Sequence, residues 1–206
     1  MWGIVEDNTI TKLINNPKGM VIGDVRYSRK IFELWSKAEL EAKGIYEVEY
    51  DNTNKKDEAW YINTNQSFAF AGGKITASYG TATAKAHTDV LFTAQDEIDG
   101  LIPDDKDVGD VKTEGLKTEL IRAVKAQAGG ELRRTDWYVV RKADAGTAIP
   151  SAITTHRAAV RTKAAEQETA ITNAADTPAL ETLYAHTRQE DGSVTRPLGQ
   201  IPTLES

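Results

Sequence analysis

From the N-terminus to Phe92 the apolar positions come in short runs separated by turn residues, and beyond that point they recur with a helical period. Gly3-Ile4-Val5-Glu6 and Thr9-Ile10-Thr11-Lys12-Leu13-Ile14 flank Asp7-Asn8, which predicts an opening hairpin, because Asn tolerates the left-handed backbone such turns need. Asn15 to Gly19 reads as a turn and Met20-Val21-Ile22 as a further short strand. Ser28 is placed to cap a helical stretch whose face is Ile31, Leu34 and Trp35. Ser36 and Glu39 have the spacing of a capping box, and Gly44 follows as a stop. Ile45 to Tyr50 alternates apolar with acidic residues. Trp60-Tyr61-Ile62, Ser67 to Phe70 and Lys74 to Tyr79 complete the strand series, with Gly72-Gly73 as a tight reversal. The expected front half is an antiparallel sheet or small sandwich carrying a small helical insert.

The rear half reads as helices. Leu116, Leu120, Ile121, Val124 and Ala128 lie on one helical face that continues to Leu132, and Gly129-Gly130 within it predicts a bend or break, since glycine costs about 1 kcal/mol in a helix interior. Asp136 is expected to cap a helix over Trp137 to Lys142 that ends at Gly146. Pro150-Ser151 opens a long helix to about Asn173. Its thin stripe, Ile153, Val160, Ala164 and Ile171, is flanked by alanines and suits close packing against a partner helix. Thr177-Pro178 starts a last helix through Leu180, Leu183 and Tyr184. The predicted architecture is α+β: a β-rich N-terminal domain over 1–95, a linker over 96–110, a helical domain over 111–188 and an extended tail over 189–206. The linker is inferred from seven acidic residues among Asp96 to Asp110 interrupted by Gly100, Pro103 and Gly109.

Composition narrows the function classes. Of 206 residues, 40% are hydrophobic and 27% charged, which is ordinary for a folded domain and excludes a wholly disordered or low-complexity chain. The start of the chain has neither a basic nor an apolar leader region, and nothing approaches a membrane-spanning run, so neither membrane insertion nor Sec export is expected. Without cysteine there is no disulfide, thiolate ligand or thiol nucleophile. The net charge of −6 is uneven: residues 1–111 carry 12 basic and 19 acidic side chains, whereas 112–188 carry 12 and 9. Duplex binding calls for a concentrated basic surface, so nucleic acid is a poor partner for this chain, and another protein fits better.

Catalytic signatures are missing from the sequence. His87, His156 and His186 are scattered, with no pair at helical ligand spacing, and no serine lies in a Gly-x-Ser-x-Gly elbow. Gly72-Gly73 does not extend into a phosphate loop. The acidic run Asp104 to Asp110 lacks the spacing and closing glutamate of a calcium loop, so no cofactor or metal is expected. Arg133 and Arg134, and Arg157 and Arg161 four apart on the long helix, can grip carboxylates or phosphates, although solvated helix decoration is the commoner use of such residues.

The most specific stretch runs from Leu132 through Arg133-Arg134-Thr135-Asp136-Trp137-Tyr138-Val139-Val140-Arg141 to Gly146 and Pro150, followed by Arg157-Ala158-Ala159-Val160-Arg161. It resembles the tail assembly chaperone domain of tailed bacteriophages, whose pattern is Leu, Thr-Asp-Trp, an Arg, an acidic-x-Gly pair, Pro and Arg-x-x-x-Arg. The likeness covers residues 115–165 at most, and the chain departs from it in Arg133-Arg134 and in His156. Read physically, the same residues specify a helix–turn–helix hairpin in which Trp137 and Val140 serve as core or touch a partner.

The resemblance implies a non-enzymatic phage tail protein that binds tail-fibre or baseplate components, as a virion structural adaptor or an assembly chaperone, in the virion tail or in the host cytoplasm during assembly. The resemblance points to a phage setting and not to contact residues; the candidate partner-binding residues are Trp137, Tyr138, Arg141, Arg157 and Arg161, and self-association is a further partner expectation. A competing class is a small carbohydrate-acting hydrolase that uses carboxylates facing each other across an aromatic cleft of the front half. RNA or DNA contact through 112–188 is a third.

Overall fold

A computed structural model describes residues 1–204. The chain is α+β, with a β-rich N-terminal part and a helical C-terminal part, and it divides into two compact units, Met1–Thr83 and Ala84–Ser206. The expected linker is thereby corrected: the division falls between Thr83 and Ala84, and residues 96–110 lie inside the second unit.

In the first unit β1 (Trp2–Glu6) and β2 (Thr9–Ile14) form the opening hairpin, with Asp7 and Asn8 at φ of 49° and 59° in its turn. A second hairpin joins β3 (Met20–Ile22) and β4 (Val25–Tyr27). Helix α1 (Ile31–Leu34) lasts one turn. Ser28 accepts a bond from the Lys30 N–H at 3.3 Å but does not cap α1, whose N-cap is Lys30, and Trp35 reverts to extended backbone. Helix α2 (Lys37–Glu41) then begins with the complete Ser36–Glu39 capping box. Next come β5 (Ile45–Asp51), β6 (Tyr61–Ile62), β7 (Ser67–Ala71), β8 (Lys74–Ser78) and β9 (Thr83–Ala84).

The main sheet runs β2-β1-β5-β8-β7. Its pairings are antiparallel except β5 with β8, which are parallel, so the sheet is mixed rather than wholly antiparallel. The reason is the hairpin of β7 and β8: β7 takes the outer position, which leaves β8 to pair with β5 in the same direction across a connection long enough for a parallel return. The outer strands β2 and β7 approach each other, and the sheet curls. Val5, Val48, Ile75 and Ala77 fill one face with Phe68, Phe70 and Tyr46 against them. Gly3 belongs to this tight face, because a Cβ there would lie 2.4 Å from Ile75 Cδ1. On the other face Ile45 packs with Ile31 and Leu40, covered by Trp2, Tyr27, Phe32 and Trp35.

The second unit opens with β10 (Val90–Leu91), α3 (Ala94–Ile98) and β11 (Val111–Thr113), in which β10 and β11 pair. The acidic stretch is the loop of this ribbon, held by backbone bonds from Phe92 to Asp110 and from Gly109 to Phe92, each 2.9 Å. Then follow α4 (Leu116–Arg133), α5 (Asp136–Ala145), α6 (Ser151–Asn173) and α7 (Thr177–Tyr184). Helix α4 is unbroken through Gly129-Gly130, so of the expected bend or break the break does not occur. Its neighbours Val124, Ala128 and Glu131 are all buried, so tertiary packing outweighs the weak local propensity. The stripe Ile153, Val160, Ala164 and Ile171 is buried as expected, and the partner it packs along is α4. The hairpin of the rear half is therefore α4 with α6, and α5 is the helix between them rather than one of its arms. A last ribbon of β12 (Thr187–Arg188) and β13 (Val194–Thr195) leads into an extended tail that buries Leu198 and Ile201.

Candidate partner-binding site

The corner between α4 and α5 is built around one buried cation. Arg157 of α6 is turned inward, and its Nη1 donates to the Leu132 carbonyl at 2.8 Å, to Thr135 Oγ1 at 2.7 Å and to Asp136 Oδ1 at 2.8 Å. Thr135 is fully buried and donates its own hydroxyl to the Leu132 carbonyl at 3.0 Å. The Leu132 carbonyl near the end of α4 already accepts the Thr135 N–H at 3.1 Å, and this network adds a charged donor to it while fixing the direction in which α5 departs. Asp136 is the first residue of α5 and not its cap. The N-cap is Thr135, without a side-chain cap bond, because the Asp136 carboxylate faces Arg157 instead of the helix N–H groups.

Helix α5 contributes no buried residue to the core. Trp137, expected as a buried anchor, is 52% exposed and Val140 65%. The physical reason is the pairing of α4 with α6, which takes the apolar stripes of both and leaves α5 beside them. Trp137 and Tyr138 stack with ring centroids 4.3 Å apart, and the Arg141 guanidinium carbon sits 4.5 Å from the Trp137 ring centroid and 5.6 Å from that of Tyr138. Arg141 Nε is covered and without a hydrogen-bond partner. Trp137, Val140 and Arg141 follow the i, i+3, i+4 spacing of one helical face, so the helix presents an apolar surface with a cation lying across it. Tryptophan, tyrosine and arginine are the residue types that carry most of the binding energy where proteins meet. Gly146, at φ 68°, ends the helix in the left-handed conformation.

Of the five residues expected to bind a partner, the structure brings together Trp137, Tyr138 and Arg141. Arg161 is exposed one turn beyond Arg157 on α6. Arg157 is corrected: it is 8% exposed and spends its donors on the corner, so it positions α5 and is not available to a partner. Its signal lay in the sequence, since Arg157 sits between Ile153 and Val160 on the buried stripe, where an arginine must find internal acceptors.

Sequence reasoning missed a second polar layer below the corner. Glu131 is buried at the end of α4, accepts the Leu204 N–H at 2.6 Å and pairs with Arg134 at 3.1 Å. The Leu204 N–H, with help from Arg134 and His156, holds the Glu131 carboxyl below its ordinary range against the opposing effect of burial. His156 Nε2 lies 3.2 Å from the same carboxylate oxygen but is not aligned for a hydrogen bond. Glu131 follows Ala128 by three and Gln167 follows Ala164 by three, so both extend apolar stripes with a polar residue.

Three of the front-half carboxylates, Glu39, Glu49 and Asp51, are engaged locally. The Lys74 ammonium at 2.7 Å lowers the pKa of Glu49, the Thr53 hydroxyl and N–H lower that of Asp51, and the Ser36 cap lowers that of Glu39. All three are ionised acceptors in turns, caps and strand pairs. Among the described residues no group of three His, Asp or Glu side chains is arranged to hold a metal ion, and no helix is long and apolar enough to cross a membrane. No family model, characterised protein or solved structure matches the chain.

Proposed function

We propose that this chain is a non-enzymatic bacteriophage tail protein that docks onto tail-fibre or baseplate components, as a virion adaptor or an assembly chaperone. The observation that carries the reading is the Trp137–Tyr138–Arg141 stack, in which Trp137 is exposed and Tyr138 and Arg141 are half-buried, on a helix that adds no buried residue yet is set in place by a buried arginine. A large aromatic left in water offers apolar area to a partner, and a helix held at its root loses little freedom when it binds. The phage setting rests on the likeness of residues 132–161 to the tail assembly chaperone pattern. Mechanism here means burial of complementary surface: Trp137 and Val140 supply the apolar contact and Arg141 the charged one.

Co-expression with candidate tail-fibre and baseplate proteins, followed by co-purification, tests the reading. Trp137→Ala and Arg141→Ala are each expected to weaken capture by about tenfold or more while leaving the thermal melt close to that of the parent. Capture that both substitutions leave unchanged would remove α5 from the interface. Mass spectrometry of purified virions separates the two roles, because a chaperone departs before the particle is complete and an adaptor stays.

A further inference from the structure

The C-terminal strap, residues 196–204, lies on α4, α6 and α7 of the second unit. Leu198 is 3% exposed and Ile201 4%, two aliphatic plugs three residues apart. Gln167, Leu183, Glu131 and Arg134 each bond the strap through its backbone. Gln167 Nε2 of α6 donates to the Leu198 carbonyl at 3.4 Å and to the Gly199 carbonyl at 3.1 Å. The Leu198 N–H donates to the Leu183 carbonyl of α7 at 3.0 Å. At the far end Glu131 accepts the Leu204 N–H, and Arg134 Nη2 donates to the Leu204 carbonyl at 3.3 Å. Between the plugs Gly199 stands at φ +71°, and a Cβ there would meet Lys163 Cε at 2.7 Å.

Gln167 is the informative residue. It sits in the middle of a long helix, 1% exposed, and what it meets with its donors is strap carbonyl. Its buried amide donors are satisfied by an extended backbone, whereas its Oε1 is covered and without a hydrogen-bond partner. Recognition through main-chain groups with pockets for alternate side chains is the way proteins hold extended peptides of another chain. The segment leading in, β12 and β13, is an exposed two-stranded ribbon closed by the turn at Asp191-Gly192.

We infer that the face of α4, α6 and α7 beneath the strap is a peptide-binding groove that the chain closes with its own C-terminal segment. The partner it fits is an extended segment of another protein that carries two branched aliphatic side chains three residues apart with a glycine directly after the first. The groove reads the main chain of that segment through Gln167 and Glu131, and the covering strap must leave before it enters. This site is separate from α5 and does not rest on the reading of α5 as a docking helix.

The test uses the full chain with a specific protease site placed in the Asp191-Gly192 turn, so that the strap is cut loose only after folding. A fluorescent peptide of residues 194–204 is the probe, followed by polarisation before and after cleavage. The expected result is saturable uptake by the cleaved chain and at least about tenfold weaker uptake by the intact chain. Gln167→Leu in the cleaved chain, and Leu198→Asp with Ile201→Asp in the peptide, are each expected to lower affinity by about tenfold or more. Equal binding to intact and cleaved chains overturns the inference, because the peptide is then held elsewhere. Absence of uptake by a cleaved chain that keeps its helical circular dichroism also overturns it, and so does loss of that helical signal on cleavage, since the strap would then be part of the core.

Discussion

Arg157 shows how one side chain sets a surface it does not belong to. It bonds three acceptors at the α4–α5 corner, and removing it takes a charged donor from the buried Leu132 carbonyl and Thr135 hydroxyl, which keep only their bond to each other and the Thr135 N–H. Arg157→Met is expected to destabilise the chain by about 2–3 kcal/mol in urea unfolding, a figure that rests on the buried acceptors because the Asp136 side chain is half exposed and its ion pair is screened. Arg161→Met, on the exposed side of the same helix, is expected to change stability by no more than about 0.5 kcal/mol. A second residue-scale prediction concerns Asp96, whose carboxylate is paired with Lys112 and capped by Thr93. Lys112 first, then the Thr93 N–H and hydroxyl, push its pKa down to about 2. A depressed carboxylate pKa stabilises the fold above the unfolded value near about 4, and that contribution is lost as pH falls toward about 2. NMR titration of Asp96 is expected to show the low value in the parent chain and a rise toward the ordinary range in Lys112→Met, with stability lost between pH about 4 and about 2 in the parent and a smaller loss over that window in the variant.

At the scale of elements, helix α4 passes through two glycines without breaking, and the packing of Val124, Ala128 and Glu131 against α6 supplies what local propensity withholds. A Cβ at Gly129 or Gly130 meets nothing within 4 Å. Gly129→Ala and Gly130→Ala are therefore each expected to stabilise the chain by about 0.4–1 kcal/mol, through a smaller loss of backbone freedom on folding, and a rise in the urea midpoint at unchanged slope checks it. A fall in the midpoint would mean that the glycines are needed for close approach. Strand β8 has the opposite lesson. The Gly72-Gly73 reversal was legible in the sequence, and the parallel pairing of β8 with β5 was not, because strand direction within a sheet depends on which neighbour occupies the adjacent edge.

For the whole molecule, the division at Thr83 and Ala84 makes each unit a body with its own core. The fragment 84–206 is expected to keep the helical circular dichroism of its residues and to melt cooperatively, since it holds α4, α6, α7 and the strap that covers them. A fragment with a broad, uncooperative melt would mean that the second unit depends on the first. The acidic stretch looked like a boundary because composition alone cannot distinguish an open linker from a loop whose carboxylates cap helices and accept backbone bonds. In the fold Asp96 does the former and Asp110 the latter.

What local chemistry determines could be read from the chain itself: the hairpin turn at Asp7-Asn8, the Ser36–Glu39 box, the limits of the long helix and its buried stripe, and the clustering of arginines around Trp137-Tyr138 between residues 132 and 161. Each depends on neighbours a few positions away, where spacing and geometry are nearly the same thing. Only the tertiary structure decided that Trp137 faces water while Arg157 faces inward, and that Gln167 and Glu131 hold a distant strap. The physical reason is competition for partners: α6 buries its stripe against α4, which displaces α5 to the surface, and the polar groups thus enclosed take whichever backbone is within reach, however far away it lies in the sequence.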